Sequence, residues 1–433
     1  MKNALKALIV ALIIIAISAF TFSCYEKPQE AQEPAETTET VKVLDDRFDL
    51  TNNVLNFIKD YFYDDIDYDY ADLYAAYGLV ASLGDYNYIY SPEDMVGSVS
   101  DGKGFGLLIK TNIYNEHLID FILPGSPFLT PYNGNTVLRG DELYAVDDFR
   151  ISGLSSSAYS AVLNSLPSDR AVKFTMLRGD ETFDVVYQKT DITFPSCVYI
   201  NNLPGVPEDF GYIFLRNFSN TNDVLNEFKA AVRSFNSDGN RALLLDLRGN
   251  GGGNTNVLRS IASALIGDAP MNELLFEVHY AKESRSNYIY STPVENKIDT
   301  PIYVLCNSGT ASASEALIGT MRAHGTLTAL IGQSTVGKGV AQNAFTTYQE
   351  GEKGVFIDKG LDENGEEVDL NTHYVQIIFG KYYIYDQSAE GGKYCMHGKP
   401  FIPDIPITDE NPITPDYGED LYIHAAVEHY NGN

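Results

Sequence analysis

Basic residues are scarce in this chain: 30 lysines and arginines stand against 59 acidic residues, for a formal charge of −29 at pH 7. A field of that sign repels phosphate backbones and anionic membrane surfaces, so nucleic-acid binding is excluded as a main role. The acidity does not choose a substrate, because a well-solvated surface accounts for it. Cysteine is also scarce. The four present, Cys24, Cys197, Cys306 and Cys395, make no disulfide framework, and without Cys24 one thiol is left over. Cys306 lies in an apolar run and is expected to be a small buried hydrophobe. There is no HExxH run and no paired-cysteine spacing, hence no zinc pattern, and no cofactor is called for. No solenoid-type repeat is evident.

What is present begins with a targeting segment. Lys2 and Lys6 precede an uncharged apolar run, Ala7 to Phe22, which ends at Ser23 and Cys24. The pattern resembles a bacterial lipoprotein signal with Cys24 as the lipidated first residue of the mature chain. Thr21 and Phe22 depart from the usual lipobox, so an ordinary cleaved signal or an uncleaved anchor stays open. With Cys24 lipidated, the expected location is the bacterial cell envelope, anchored to a membrane on its periplasmic or outer surface.

A chain of 433 residues suggests two or three domains beyond that segment. Residues 25–44 are rich in Glu, Gln, Pro and Thr and read as a disordered tether. Residues 45–98 form an expected helical region, with Leu55, Ile58, Phe62, Leu73, Leu79 and Leu83 at roughly helical spacing. Asp65, Asp67 and Asp69 alternate as in a calcium loop, but Tyr70 stands where the loop needs glycine, which favours a solvated acidic patch. Residues 99–190 read as a β-rich domain with glycine turns, including a helix from Ala158 to Leu166 and strands at Val172 to Leu177 and Phe183 to Tyr187. Residues 191–433 alternate strand, loop and helix: Arg241 to Leu247, Gly249 to Gly253, Asn254 to Leu265; then Pro301 to Cys306, a serine loop, and Ala313 to Ala323. Such alternation argues for an α/β domain whose ligands sit at strand C-terminal ends.

Two residues at such ends carry the chemistry. Ser312 follows the apolar run 301–306, and Lys338 follows the apolar run Leu327 to Ile331. A lysine serves as base for a serine if burial keeps it neutral. Unperturbed, only about one lysine in a thousand is neutral at pH 7.4, a cost of roughly 4 kcal/mol. Gly337 and Gly339 permit close backbone approach around Lys338, and Val336 is placed to help exclude water. If Ser312 starts a helix, the Ala313 N–H lacks an intrahelical partner and points at a developing oxyanion. The glycine run 251–253 offers a second amide, Gly252 being favoured over Gly251, although the sequence does not separate them. Taken singly, each feature has a plain explanation: a helix cap, a surface charge, a turn. The order and spacing of all of them together carry the reading. Gly332 to Lys338 also matches the first seven positions of a phosphate-binding loop. Gly339 then stands where the Mg²⁺-binding hydroxyl belongs, which argues against nucleotide binding.

These residues resemble the tail-specific, or C-terminal processing, serine peptidase family over most of the chain after about residue 45. The matching segments are Ser312-Ala313-Ser314-Glu315, GQSTVGKGVAQ from Gly332 to Gln342, Leu243 to Gly253, and Gly398 to Asp404. The resemblance implies a multidomain protein: a PDZ-like domain from Gly104 to about Lys189, followed by a catalytic α/β core resembling the ClpP/crotonase type. It implies Ser312 as nucleophile, Lys338 as general base, Glu315 and Gln342 as accessory residues, and Ala313 with a glycine of 251–253 as oxyanion donors. Some members carry an aspartate where this chain has Ala323, which puts an auxiliary carboxylate in doubt. In the PDZ-like reading, Phe105, Gly106 and Leu107 turn backbone amides toward a peptide's terminal carboxylate. The expected function is an exported serine endopeptidase acting on protein or peptide substrates that are unfolded or have accessible C-termini. The rivals are a catalytically weak peptide-binding lipoprotein and a related α/β hydrolase acting on another acyl substrate.

Overall fold

The computed structural model describes residues 49–61, 68–90, 103–112, 114–192, 195–219, 222–267, 272–280, 284–342, 355–361, 367–385, 392–409 and 411–432. The signal-like run, Cys24, the stretch 25–44, Asp65 and Asp67 lie outside them. The chain divides into residues 1–73 and 74–433. Within the first, helix α1 (Asp49–Tyr61) exposes Leu50, Val54, Phe57 and Ile58, an apolar stripe at helical spacing. Helix α2 (Tyr68–Ala81) crosses the division between the two units.

In the second unit, five antiparallel strands run Leu107–Thr111, His117–Ile122, Glu142–Val146, Val172–Arg178 and Glu181–Tyr187, neighbours in that order. Alternation explains them: Val172, Phe174 and Met176 face inward while Lys173 and Thr175 face out. Their core also takes Ile119, Phe128, Leu143, Val146, Ile151 and Val185. Helix α3 (Ser156–Ser165) is started by Ser155, whose Oγ accepts the Ala158 N–H.

A mostly parallel six-stranded sheet runs in sequential order: β1 (Cys197–Asn201), β2 (Phe210–Leu215), β3 (Ala242–Asp246), β4 (Ile302–Cys306), β5 (Leu327–Gly332) and β6 (Ile405–Pro406). The β1–β2 pair is antiparallel and every later pair is parallel. Both faces are covered, which is why β3 and β4 read as unbroken apolar runs. Leu243, Leu245, Ile302, Val304 and Cys306 point to the face carrying α4 (Asn222–Ser237), α5 (Thr255–Leu265) and α6 (Ala313–Ala323). Leu244, Tyr303 and Leu305 point to the face carrying α7 (Leu421–Gly432). The Cys306 thiol is buried, and burial pushes it up to about 12. Because the strands are parallel, the loops after β3, β4 and β5 leave from one end of the sheet. The buried Arg248 side chain pins the first of these loops, bonding to Asp246 and Asp420. Burial alone would raise the Asp420 carboxyl, but Arg248 beside it holds it below the ordinary carboxylate range.

A second sheet orders the strands Arg285–Tyr290, Leu274–Tyr280, Ile378–Ile384 and Val340–Gln342. A three-stranded sheet pairs Tyr88–Tyr90 with Glu367–Gln376, and the latter with Val355–Leu361. Through it the chain just after α2 is joined to the strand Glu367–Gln376.

Candidate active site

Ser312 is the N-cap of α6 and takes φ 58°, ψ −115°. A non-glycine residue at positive φ costs about 1–3 kcal/mol and persists only where its surroundings hold it. Here the Glu315 carboxylate accepts the Ser312 N–H at 2.9 Å, and the Ala311 N–H donates to Asn250 O at 3.0 Å. The first turns of α6 are buried from Ala313 through Met321, so the serine stands on a fixed base.

The glycine loop after β3 is strapped to the serine loop. Thr310 Oγ1 donates to Leu247 O, Ser314 Oγ to Asn250 O, and the Gly249 N–H to Asn307 Oδ1. A Cβ on Gly252, which sits at φ +99°, would lie 2.7 Å from Ala313 N and 2.8 Å from Ser312 Cβ. A Cβ on Gly251 would meet nothing within 4 Å. Gly252 therefore packs against the Ser312 turn and Gly251 does not. The Gly252 N–H donates to Asn250 Oδ1 at 3.0 Å in this arrangement, while Asn250 Nδ2 ties the loop to Leu215 O.

Lys338 approaches from the segment after β5. Its backbone N–H donates to Glu315 Oε2 at 2.8 Å, and the Gly337 N–H and Thr335 Oγ1 donate to Glu315 Oε1 at 2.6 and 2.5 Å. One fully buried carboxylate thus takes four donors and joins the Ser312 turn to the Lys338 segment. Gly337 lies close to the Lys399–Pro400 backbone and Gly339 to the Met396–His397 backbone, as tight approach requires. Val336 does not shield the site as expected: its side chain is 40% exposed, because its backbone N–H turns inward to Thr310 O. Burial lowers the pKa of the Lys338 ammonium from the ordinary lysine value.

Ser312, Lys338, Gln342 and Gly251 to Gly253 line one cavity of about 670 Å³, with Tyr280, Ile289 and Phe379 on its apolar side. Among the described residues lining it, Lys338 is the sole lysine, histidine, arginine or carboxylate-bearing side chain. Gln342 shares that wall, but its Nε2 donates to Tyr86 O at 2.5 Å and to Gln376 Oε1 at 3.4 Å. Phe105, Gly106 and Leu107 are not at this cavity. Gly106 sits at φ +65°, its carbonyl accepting the Leu123 N–H, with Phe105 O accepting the Ser126 hydroxyl and Leu107 opening the first strand of the antiparallel sheet.

Sequence reasoning missed Asn250, Thr335 and Tyr86. The first two lie inside recognised motifs, Asn250 between two glycines and Thr335 in the segment leading to Lys338. Tyr86 carries no such signal. Its ring lies against Lys338, with Nζ 4.9 Å from the ring centroid.

Comparison with known proteins shows what the chain is similar to. Residues 209–375 match the model of peptidase family S41. The carboxy-terminal processing protease CtpA of Bacillus subtilis is 26% identical over 378 residues, which cover 84% of this chain and 75% of that protein. A carboxyl-terminal-processing protease of Synechocystis sp. is 28% identical over 259 residues, 58% of this chain and 56% of its own. A Bacteroides fragilis crystal structure described as an S41 protease shares the fold with a TM-score of 0.51 at 16% identity, over 81% of this chain and 87% of that one. The chain is a serine-type peptidase with an S41 segment spanning residues 209–375. The resemblance to the C-terminal processing proteases holds, and protein or peptide substrates follow from the family.

Proposed function

We propose that the chain is an exported serine endopeptidase that cleaves peptide bonds through an acyl-enzyme, with Ser312 as nucleophile and Lys338 as general base. The observation that carries this is the Glu315 carboxylate, which accepts the backbone N–H of both Ser312 and Lys338 on a cavity wall with no other described base. Neutral Lys338 Nζ takes the Ser312 hydroxyl proton as Oγ attacks the scissile carbonyl carbon. The carbonyl oxygen becomes an oxyanion facing the Ala313 N–H at the start of α6 and an amide of the glycine loop. The packing of Gly252 against Ala313 favours Gly252, whose N–H then turns from Asn250 Oδ1 to the oxyanion. The C–N bond breaks as the Lys338 ammonium returns its proton to the leaving amine. Water, deprotonated in turn by Lys338, hydrolyses the ester and frees Ser312. Glu315 and Gln342 act through backbone: Glu315 sets both loops, and Gln342 fixes the Tyr86 turn. Purified Ser312→Ala and Lys338→Ala proteins should each lose hydrolysis of an unfolded protein such as casein by at least about 10³-fold, since nucleophile and base act as a unit. Turnover near the parent's by either variant removes this mechanism.

The same reading takes the antiparallel sheet with α3 as a PDZ-like domain that captures a substrate's C-terminus, and the mostly parallel sheet β1–β6 with its helices as a ClpP/crotonase-like core. The supporting feature is the positive-φ Gly106 at the head of the first strand, the kind of backbone that can gather amides around a carboxylate. Amidating a peptide's C-terminus should weaken binding to the Ser312→Ala protein roughly ten- to a hundredfold, as for loss of a charge-assisted contact. Equal affinity for acid and amide sinks the capture role and leaves the chemistry standing. In this reading Cys24 is the lipidated first residue of a mature protein held to a membrane of the bacterial cell envelope. Mass spectrometry of the mature N-terminus tests it.

A further inference from the structure

The turn after α2 lies far from the motifs in sequence, yet it ends on the base. Tyr86 stands at φ +70°, a costly backbone for a tyrosine, and three sets of bonds hold it there. Asn87 is 8% exposed, and its Nδ2 donates to the carbonyls of Leu83, Gly84 and Asp85. Asn87 Oδ1 accepts the Ile378 N–H at 2.9 Å. Gln342 Nε2 donates to Tyr86 O, and the following strand Tyr88–Tyr90 pairs with Glu367–Gln376. The outcome of this bracing is a ring face turned to Lys338 Nζ at 4.9 Å.

We propose that Tyr86 is a positioning residue for Lys338: its ring face receives the ammonium, sets where Nζ rests, and opposes loss of its proton. This rests on Lys338 being the base. An aromatic face attracts a cation through its quadrupole and does nothing comparable for a neutral amine. Burial pulls the other way, so the two together determine how much of Lys338 is neutral at a given pH. The titratable groups acting on Tyr86 are Asp85, Glu315 and Tyr88; on the Lys338 side, Tyr280 and Tyr382 line the same cavity, Lys381 pairs opposite Val340, and the His397 backbone lies against Gly339. Glu315 is engaged by backbone N–H groups and a hydroxyl. Burial, Asp85 and Glu315 raise the Tyr86 phenol, which keeps it neutral, so the ring and not a phenolate faces the lysine.

The test is the titration of Lys338, read without catalysis. In the Ser312→Ala protein, the rate of Lys338 acylation by acetic anhydride is followed against pH by mass spectrometry for Tyr86, Tyr86→Phe and Tyr86→Leu. Leucine keeps the apolar bulk and removes the ring. Tyrosine and phenylalanine should titrate alike, and leucine should titrate about half a pH unit lower, the size expected of an exposed-site cation–ring contact. The pH profile of kcat/KM, measured with Ser312 in place on a fluorogenic peptide with a free C-terminus, should move by the same amount. A leucine midpoint that is unmoved or higher overturns the proposal. If Tyr86→Leu does not fold, pentafluorophenylalanine at position 86 keeps the shape and reverses the quadrupole; it should lower the midpoint, and an unchanged midpoint overturns the idea equally. Lys338→Ala with full activity instead removes the base assignment itself, whatever the labelling shows.

Discussion

The serine side and the lysine side of the cavity are built differently. Ser312 stands on α6, whose residues from Ala313 to Met321 are buried, and its loop is bonded to the neighbouring glycine loop by Thr310 and Ser314. These loops follow adjacent parallel strands, so the sheet itself brings them together. Lys338 lies on a segment held by groups from sequence-distant places: Glu315, the Phe401 carbonyl bonded to the Thr335 N–H, the Met396–His397 backbone against Gly339, and the Tyr86 turn. Ser312 is thus positioned by the core and Lys338 by convergence. Changes to the groups that hold Ser312 should break the enzyme, whereas changes to those that hold Lys338, apart from Glu315 and the lysine itself, can tune it.

Glu315 spans both sides, and its loss should have the largest effect. Glu315→Ala leaves buried N–H groups at Ser312 and Gly337 without their acceptor and should cost on the order of 3–5 kcal/mol of stability together with activity. Urea unfolding of the two proteins measures it. A change below about 1 kcal/mol would mean that the two loops are held independently of this carboxylate.

Next comes a contrast within the glycine loop. Gly252→Ala forces a Cβ against Ala313 N at a backbone φ of +99° and should lower kcat by about 10²-fold or more, the scale of a lost oxyanion donor. Gly251→Ala, with open space at its Cβ, should keep activity within a few-fold. Equal losses from the two substitutions would erase the distinction and return the donor assignment to either glycine.

The mildest effect concerns pH. Burial places the folded-state pKa of Lys338 below its unfolded value, so the folded protein binds fewer protons between those two pKa values. Stability should rise with pH through that window, and below it the buried charge is a standing cost. Lys338→Met should therefore abolish hydrolysis without lowering stability, and should flatten this alkaline rise. In the parent, kcat/KM should climb with pH around a midpoint below that of free lysine. A Lys338→Met protein clearly less stable than the parent at neutral pH would show that the ammonium is a net stabilising group, and the serine and lysine sides would then be alike.

Much of this was legible beforehand because it is local. The apolar runs at 242–246 and 302–306 become strands covered on both faces, and the helix expected at Ala313 to Ala323 is found with those bounds. Asn254 caps α5 where the glycine run ends, accepting the Asn256 N–H at 2.8 Å. Val336 misled because an apolar side chain next to a lysine reads as a water shield, yet the direction of a loop side chain depends on which backbone groups the loop pairs. The resemblance makes Gln342 an accessory residue, but the sequence does not reveal its partner, the Tyr86 carbonyl, 256 residues away in the chain.

The sequence by itself determined the alternation of strands and helices, the two loops that carry Ser312 and Lys338, and the excess of acid over base. Periodicity, capping and composition are properties of neighbours along the chain. Only the tertiary structure decided that Gly252 and not Gly251 meets the serine turn, that Glu315 serves both loops, and that a tyrosine from the turn after α2 faces Lys338. Each of these depends on whether a Cβ fits or a donor is reached across segments far apart in sequence, and such approaches exist only once the sheet has brought the loops together.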